Sequence, residues 1–251
     1  MMNKRIEHNI SKAEALTNPL QTLQLLASFE TTEKYDSSSS GGETSHPKRK
    51  FRFQFYRAPL PSDLHDACMN LFEENMGEFY RSSSWGLDLD EKTDELRHES
   101  ARFLIVTQDD DDISSSLNTT SDASSPNNTK MRSSSRAKIC AFSHFRFEVN
   151  DDDFPTEEVL YVYEIQVSPD LQKCGIGKRC MSIMELIALQ ANMRRVMLTA
   201  FKSNQGAMKF YIDKMKYGID SSSPSNFDGE EVDYEILSKS LMSKQTKGKI
   251  M

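Results

Sequence analysis

The sequence predicts an α+β protein in which a mixed central sheet is flanked by helices, with an extra helix near the N-terminus. Three observations support this fold class. Consecutive strand-like segments give way to an alternation of strands and helices, one strand is apolar along its whole length, and the predicted helices each carry an apolar stripe. About one compact domain of ordinary size remains once the polar, low-complexity stretches are set aside.

The N-terminal part is expected to form a helix and then the first strand. An amphipathic helix is predicted over residues 19–33, capped by Thr17 or Asn18, from its stripe of Leu20, Leu23, Leu26 and Ala27. Phenylalanine alternates with polar residues over residues 51–57, which predicts a strand with one covered face.

A second helix and two further strands follow. Pro61 is expected to begin a helix that extends to about Phe79, because proline suits the first turn of a helix. Residues 101–107 and 138–149 are predicted strands, separated by a polar insert at residues 108–137. An antiparallel pair tolerates such an excursion because closure entropy grows only with the logarithm of loop length.

The second half of the chain alternates strands with helices. Residues 159–167 are β-branched and aromatic, as is typical of a central strand covered on both faces. The next helix carries a stripe of Ile176, Cys180, Ile183, Met184, Ile187, Ala188 and Ala191. Residues 195–201 predict a strand, Asn204 is a suitable N-cap for a further helix, and residues 232–238 predict the last strand.

Serine-rich composition sets the predicted domain boundaries. Two stretches lack the large apolar side chains whose burial would offset the entropy cost of ordering, so we expect both to be disordered. The predicted organisation is a helical segment, a linker, a folded domain that contains the disordered insert 108–137, and a basic tail, at residues 1–36, 37–50, 51–241 and 242–251 respectively.

Composition also excludes several classes of protein. No apolar run approaches the ~20 residues of a membrane span, and no signal peptide is evident, so we expect a soluble intracellular monomer without a membrane partner. The net charge of -7 and the lack of a basic face argue against nucleic-acid binding. The four cysteines have neither metal-site nor disulfide-framework spacing. A basic tetrapeptide at residues 47–50 suggests a nuclear as well as a cytoplasmic location.

Gly175 and Gly177 follow the apolar strand and open the next helix, and several interpretations compete. A Walker phosphate loop would need a glycine at Gln172 and a hydroxyl residue at Arg179, and a dinucleotide fingerprint would need a small residue at Cys180. Two interpretations stay open. The glycines could leave the backbone N–H groups of a helix N-terminus accessible to an anion, or they could simply form a turn.

The segment from Val167 to Gly177 resembles the acetyl-CoA pyrophosphate loop of the Gcn5-related N-acetyltransferases, whose signature is Gln or Arg, two residues, Gly, one residue, and Gly or Ala. The resemblance implies the GNAT acyl-CoA N-acyltransferase fold, acetyl-CoA as co-substrate and no metal. It also implies a set of cofactor-binding residues, namely Gln172, Lys173, Cys174, Gly175, Ile176, Gly177 and Asn204. Because the loop is less basic than its relatives, we expect its backbone, more than its side chains, to hold the phosphates.

Longer segments are similar to the NatD-type N-alpha-acetyltransferases, which modify histone tails. They are MGEFYRSSSWG (76–86), AFSHFRFE (141–148), EVLYVYEIQV (158–167), RRVMLTAFKSNQGAMKFY (194–211), DSSSPS (220–225) and YEILS (234–238). The resemblance implies acetyl transfer to tails that begin Ser-Gly-Arg-Gly. It implies a peptide groove lined by Tyr80, Trp85, Tyr163, Thr199, Ser222 and Tyr234, although simple packing is the alternative for each tyrosine.

The same resemblance gives Glu164 a chemical role. A protein α-amine has a pKa of about 7.7 to 8.0, so a modest base can deprotonate it near neutral pH. Glu164, on its apolar strand, is the expected general base, with Glu148 on the neighbouring strand as helper. The oxyanion is expected to bind backbone groups of residues Ile165, Gln166 and Val167. No cysteine is placed for a covalent intermediate, so direct attack is expected, and a purely structural Glu164 is the alternative.

Acidic runs at residues 151–153, 157–158 and 228–233 would attract a basic tail, or are ordinary solvated loops. Three functions stay open: an N-terminal acetyltransferase, an acetyltransferase for lysine or a small amine, and a non-catalytic acyl-CoA-binding or histone-binding module. Tyr80, Trp85 and Tyr234 favour the first over the second, and the pair Glu164 and Glu148 disfavours the third.

Overall fold

One mixed sheet organises the protein. The computed structural model describes residues 4–16, 18–19, 28–32, 48–108, 139–150, 157–227 and 231–241. The strands are β1 (Ser28–Thr32), β2 (Lys48–Arg57), β3 (Arg102–Gln108), β4 (Ile139–Asn150), β5 (Glu157–Val167), β6 (Arg195–Phe201), β7 (Gly218–Ile219) and β8 (Tyr234–Ser240). They form an 8-stranded sheet in the order β1-β2-β3-β4-β5-β6-β8-β7. Every neighbouring pair is antiparallel except β5 and β6, which are parallel.

Helices cover both faces of this sheet. They are α1 (Lys4–Glu14), α2 (Ser62–Arg81), α3 (Leu89–Arg97), α4 (Ile176–Gln190) and α5 (Gln205–Lys209), the last continued by a π-helical turn, Phe210–Lys214. Helix α3 begins after Asp88, whose carboxylate accepts hydrogen bonds from the backbone N–H groups of Asp90 and Glu91. None of the helices in the described ranges is both long enough and apolar enough to cross a membrane.

The core consists of two apolar clusters, one on each face of the sheet. Side chains alternate along a strand, so Phe103 and Leu104, neighbours in β3, belong to opposite clusters. Phe103 packs with Phe72 of α2 and Leu96 of α3. Leu104 belongs to the larger cluster, which includes most of the apolar stripe of α4. The sheet therefore holds α2 and α3 on one face and α4 on the other.

Helix α1 is attached to the sheet through a buried carboxylate. Glu158 of β5 is only 1% exposed, and its Oε1 accepts a hydrogen bond of 2.7 Å from Asn9 Nδ2. Arg5 of α1 and Arg194 also approach this carboxylate, at 3.9 and 3.6 Å. Because a buried charge requires partners, this contact fixes the helix against the strand that carries Glu164.

Most predicted elements are confirmed, and the largest error is at the N-terminus. The predicted strands correspond to β2, β3, β4, β5, β6 and β8, and the predicted helices after Pro61, Gly175 and Asn204 correspond to α2, α4 and α5. The helix predicted over residues 19–33 is wrong for Ser28–Thr32, which form β1 and pair with β2. The pairing also extends β2 back to Lys48, into the predicted linker. Residues 20–27, 33–47, 109–138, 151–156, 228–230 and 242–251, which include most of the predicted linker, insert and tail, lie outside the described residues.

Candidate active site

A cleft opens in the sheet where β5 and β6 separate. The parallel pairing of these strands extends from Val159 with Arg195 to Val162 with Leu198. Strand β5 continues to Val167 and remains paired with β4 along its other edge. The edge of residues 163–167 that faces β6 is therefore unpaired, and a cavity of about 1080 Å³ lies there, lined by both strands and by the first turn of α4.

A β-bulge coincides with this separation. Val162 pairs with Phe145 and Glu164 pairs with His144, so Tyr163 is an extra residue in β5. The Tyr163 ring stacks on the His144 ring at 4.9 Å, on the face of the sheet that carries α3. Glu164 contacts the same helix. The bulge thus turns two consecutive side chains towards one face, immediately after the last residue that pairs with β6.

Glu164 is buried, and each of its two carboxylate oxygens accepts a hydrogen bond. Its Oε1 accepts a 2.9 Å hydrogen bond from Lys92 Nζ, and its Oε2 accepts a 2.6 Å hydrogen bond from Gln166 Nε2. Burial raises the pKa of Glu164 above its ordinary value, Lys92 opposes the rise, and the nearby Glu95 carboxylate reinforces it. A carboxylate with a raised pKa on a cavity wall is suited to accept a proton near neutral pH.

Lys92 of α3 connects Glu164 to a second carboxylate. Its Nζ donates to Glu95 at 2.9 and 3.1 Å as well as to Glu164. Burial pulls the pKa of Lys92 down, but the two carboxylates outweigh burial and raise it, so the ammonium stays charged. His144 Nδ1 lies 3.4 Å from Glu95 Oε1, and burial lowers the pKa of His144 to about 4. His144 is therefore neutral at pH 7. No local pattern predicts this cluster, because the sequence of α3 has no apolar stripe.

Glu148 lies apart from Glu164. Its partner in β5 is Val159, five positions before Glu164, a separation of roughly 16 Å along the strand. Its Oε1 accepts a 2.5 Å hydrogen bond from the Tyr163 hydroxyl, and it does not line the cavity. Its role as helper stays a prediction, and any influence on Glu164 would have to pass through Tyr163.

The glycine loop lies at one end of the cavity. A short 3-10 turn, Pro169–Leu171, follows β5, and Gly175 caps α4 with a φ of 90°, in the left-handed region that favours glycine. The side chain of Gln172 donates to the carbonyl of Val167 at 3.3 Å. The predicted residues on the cavity wall are Ile165, Gln166, Val167, Gln172, Lys173, Gly175, Gly177 and Asn204. Cys174 and the buried Ile176 do not line it, so Ile176 could contribute only backbone atoms.

Asn204 both caps a helix and lines the cavity. Its Oδ1 accepts a 3.0 Å hydrogen bond from the backbone N–H of Ala207, which caps α5, and the residue also lies on the cavity wall. Asn75 of α2, which was not predicted, secures the opposite wall, since its Nδ2 donates to the carbonyl of Val167 and to Gln166 Oε1, both at 3.0 Å. These amides fix the two sides of the cleft.

Positive charge comes from beyond the glycine loop. Lys173 lies in the loop, but Lys178 of α4, Lys209 of α5 and Lys214 of the π-helical turn also line the cavity. The expectation of little side-chain help for phosphate groups rested on the loop alone and stays a prediction. Lys178 directly follows Gly177, whereas Lys209 and Lys214 are distant from the loop in sequence and reach the same cavity from α5 and the π-helical turn.

Aromatic side chains line the other end of the cavity. Trp85 is 49% exposed, and its ring lies 6.1 Å from Tyr80, 5.1 Å from Phe201 and 5.0 Å from Tyr234. Tyr80, Trp85, Tyr163 and Thr199 lie on the wall, and Tyr234 supports Trp85 from behind. The Trp85 loop is held by Asp233, whose carboxylate accepts a 2.7 Å hydrogen bond from the backbone N–H of Ser84.

Ser222 does not join this group. Its hydroxyl donates to Asp220 Oδ1 at 2.8 Å within a turn, and it does not line the cavity. Phe201, Tyr161 and Tyr211 do line it and were not predicted as site residues. The Tyr161 hydroxyl lies 2.5 Å from Thr199 Oγ1, so Thr199 is fixed by a neighbour from β5. Burial raises the pKa of Tyr211, which keeps this phenol protonated at neutral pH.

The site offers an open strand edge, a glycine-capped helix N-terminus with lysines nearby, and a buried carboxylate between them and an aromatic opening. Within the described residues, no group of three or more His, Cys, Asp or Glu side chains could hold a metal ion. These features fit acetyl-CoA, whose pyrophosphate suits a helix N-terminus and whose extended arm can use unpaired backbone groups.

Comparison with known proteins identifies the fold and the family. An acetyltransferase from Streptococcus agalactiae aligns at 10% identity over 75% of this chain and 98% of that one, with a TM-score of 0.50. The ribosomal-protein-S18-alanine N-acetyltransferase of Escherichia coli aligns at 14% identity over 77% and 97%, TM-score 0.45. Arabidopsis thaliana NAA60 with a bisubstrate analogue aligns at 12% identity over 75% and 98%, TM-score 0.43. Residues 66–217 match the sequence profile described as the Acetyltransferase (GNAT) family. Because that match covers more than half of the protein, the chain belongs to the GNAT family of acetyltransferases, which use acetyl-CoA.

Proposed function

We propose that this protein transfers the acetyl group of acetyl-CoA to the α-amine of protein N-termini, with histone tails that begin Ser-Gly-Arg-Gly as its substrates. One observation carries the proposal: a single cavity connects the glycine loop, the buried Glu164 and the aromatic cluster around Trp85. A donor that enters at the loop and a peptide that enters at the aromatic end would meet beside Glu164.

The donor end of the cavity is suited to acetyl-CoA. The N-terminus of α4, capped by Gly175, offers backbone N–H groups to the pyrophosphate, and Lys178, Lys209 and Lys214 offer positive charge. The unpaired edge of residues 163–167 offers backbone groups to the arm of the donor and to the thioester oxygen. Acetyl-CoA when bound supplies the activated acyl group, and the protein supplies position and proton transfer.

The chemistry requires one base and one proton donor. Glu164 accepts a proton from the substrate ammonium, directly or through water, and the neutral amine attacks the thioester carbon. The new C–N bond forms, the C–S bond breaks, and the second amine proton is lost as the amide forms. The departing thiolate takes up a proton, for which the protonated phenol of Tyr211 on the cavity wall is available. The products are the acetylated amine and CoA, with one proton released.

The aromatic end is suited to a peptide chain. Tyr80, Trp85 and Phe201 form an open, largely apolar surface, with part of Trp85 exposed to solvent. The net charge of -7 favours a basic partner, as a histone tail is. A small amine would have no use for such a surface.

The test compares two forms of a Ser-Gly-Arg-Gly-Lys peptide, one with a free α-amine and one with that amine blocked. We expect acetyl transfer to the free form and no measurable transfer to the blocked form, which still contains the lysine. Equal rates would instead make lysine the target. A peptide that begins with another sequence, acetylated just as fast, would contradict histone selectivity while retaining N-terminal chemistry.

The lysines of the donor end give a prediction of their own. Replacing Lys178, Lys209 and Lys214 together with methionine should weaken acetyl-CoA binding by about 3- to 150-fold at low salt, because each exposed ion pair contributes about 0.2 to 1 kcal/mol. The loss should shrink as salt screens the charges. Lys4→Met, on α1 and away from the cavity, is the matched control. Titration calorimetry at two salt concentrations measures both, and a loss that is independent of salt would contradict the electrostatic role.

A further inference from the structure

Lys92 is an unusual residue to bury. It lies in α3, a charged helix of nine residues in which Lys92 and Leu96 are the buried positions. Lys92 is 6% exposed, and its Nζ lies 4.8 Å from the centre of the Phe72 ring and 5.4 Å from that of Tyr80. Burying an ammonium group costs free energy unless nearby negative charge compensates it, so the groups that contact Lys92 determine whether it can be buried.

Those partners place one ammonium group between two carboxylates. Nζ lies 2.9 Å from Glu164 Oε1 and 2.9 Å from Glu95 Oε1. Other titratable groups interact with Glu164 or lie on the elements beside it. Tyr80 of α2 and Tyr211 of the π-helical turn interact with its charge, His144 of β4 is its ladder partner, and Arg146 of β4 and Tyr163 of β5 are close by. His144 is neutral, Arg146 lies over the Tyr163 ring, and the tyrosines keep their protons. Among the residues that the structure describes, Lys92 is the cation in direct contact with Glu164.

We propose that Lys92 is a positioning residue that keeps the Glu164 carboxylate ionised in its buried site, and that Glu95 moderates this effect by sharing the same ammonium group. The inference rests on the proposed role of Glu164 as general base. A buried carboxylic acid that held its proton could not accept another from the substrate. A carboxylate that had the Lys92 ammonium group to itself would have a lower pKa and be a weaker base. Because Glu95 shares this ammonium group, the pKa of Glu164 lies between these two extremes.

The helix that carries Lys92 and Glu95 is held in place from two sides. Asp88 caps its first turn, and Arg146 Nη2 of β4 donates a 2.7 Å hydrogen bond to the backbone carbonyl of Glu95. The guanidinium of Arg146 lies 4.4 Å from the centre of the Tyr163 ring. Arg146 thus links the bulge residue Tyr163 to helix α3, and this link holds Lys92 Nζ beside the Glu164 carboxylate.

The main test is the pH dependence of kcat/KM for three variants. In Lys92→Met, loss of the cation should raise the pKa of Glu164, so the acid limb of the profile should move to higher pH by about one unit or more, which is about a tenfold loss on the acid side of the limb that recovers as the pH rises. Lys92→Arg keeps the charge and should restore most of the limb. In Glu95→Gln, Glu164 gains the undivided cation and loses a repelling charge, so the limb should move to lower pH.

Opposite shifts from Lys92→Met and Glu95→Gln are a result that simple damage to α3 would not produce. Equal losses at every pH, with the acid limb in its original place, would overturn the proposal. The pKa of the free peptide amine is the same in all assays, so it cannot cause a shift between variants. If the wild type acetylates lysine and not the α-amine, the proposed function fails while the same pH series on that substrate still tests Lys92.

A stability cycle tests the contact without any activity. Lys92→Met should lower the melting temperature at pH 7 clearly more in the wild-type background than in Glu164→Gln, because the buried carboxylate loses its counter-charge only in the former. Equal drops in both backgrounds would show that Lys92 and Glu164 are not coupled, and would overturn the proposal.

Discussion

Replacing Glu164 with glutamine is expected to lower kcat at pH 7 by about 10²- to 10⁴-fold, the range that a positioned general base contributes. Glutamine has nearly the same shape and can still receive the hydrogen bond from Lys92 Nζ, which is 2.9 Å in the wild type. It cannot accept a proton from the substrate ammonium. Acetyl-CoA affinity should stay within about threefold of the wild type, since the glycine loop and the lysines are untouched.

The control for this variant is Glu148→Gln. Because Glu148 pairs with Val159 and meets the site at the Tyr163 hydroxyl, away from Glu164, its loss should reduce kcat by less than about tenfold. Steady-state kinetics with a saturating peptide, together with acetyl-CoA titrations, distinguish the two carboxylates. If Glu164→Gln retained the wild-type rate, Glu164 would be a structural residue and another group would have to be the base.

Replacing Gly175 with valine is expected to raise the dissociation constant for acetyl-CoA by about 10- to 100-fold. Gly175 has a φ of 90°, which a β-branched residue adopts only at a cost of about 1 to 3 kcal/mol. The chain would relieve that strain by moving the first turn of α4, whose N–H groups form the proposed anion site. Because the affected groups bind the donor, the loss should appear in binding and not chiefly in kcat.

Gly218→Val provides the comparison for that experiment. Gly218 is an exposed residue of β7, it has no positive φ, and nothing lies within 4 Å of the place where a Cβ would stand. Calorimetric titration with acetyl-CoA should find this variant unchanged. A Gly175→Val protein that still binds acetyl-CoA within twofold of the wild type would show that the loop geometry is not needed for the donor.

Features carried by short continuous segments were predictable from sequence. The strand, glycine turn and helix around residues 159–190 have local signals, and Glu164 stands out as an acid within an apolar run. Asn204 was identifiable as a cap for the same reason, and the structure confirms the cap. These predictions succeed because backbone preference and side-chain pattern agree over a few neighbouring residues.

Features that depend on tertiary contact were missed. Helix α3 has an almost wholly polar sequence, LDEKTDELR, and the burial of Lys92 depends on its contact with Glu164, 72 positions away, as well as with Glu95. The leucine stripe before β1 predicts a helix that extends through this strand, whereas pairing with β2 decides its conformation. The distance between Glu148 and Glu164 depends on strand register and on the bulge at Tyr163. Neither can be predicted from the alternation of apolar and polar residues.

The separation of β5 from β6 has a consequence for the cooperativity of the whole protein. In the described part of the sheet, four backbone ladder pairs, from Val159 with Arg195 to Val162 with Leu198, join the strands β1 to β5 to the strands β6 to β8. On the proposed function, a donor molecule in the cleft would touch both groups of strands where their pairing has ended. Bound acetyl-CoA would then stabilise the contact between the two groups of strands as well as react. Because it binds the folded state, a higher concentration of acetyl-CoA should make the two groups unfold more cooperatively, as one unit.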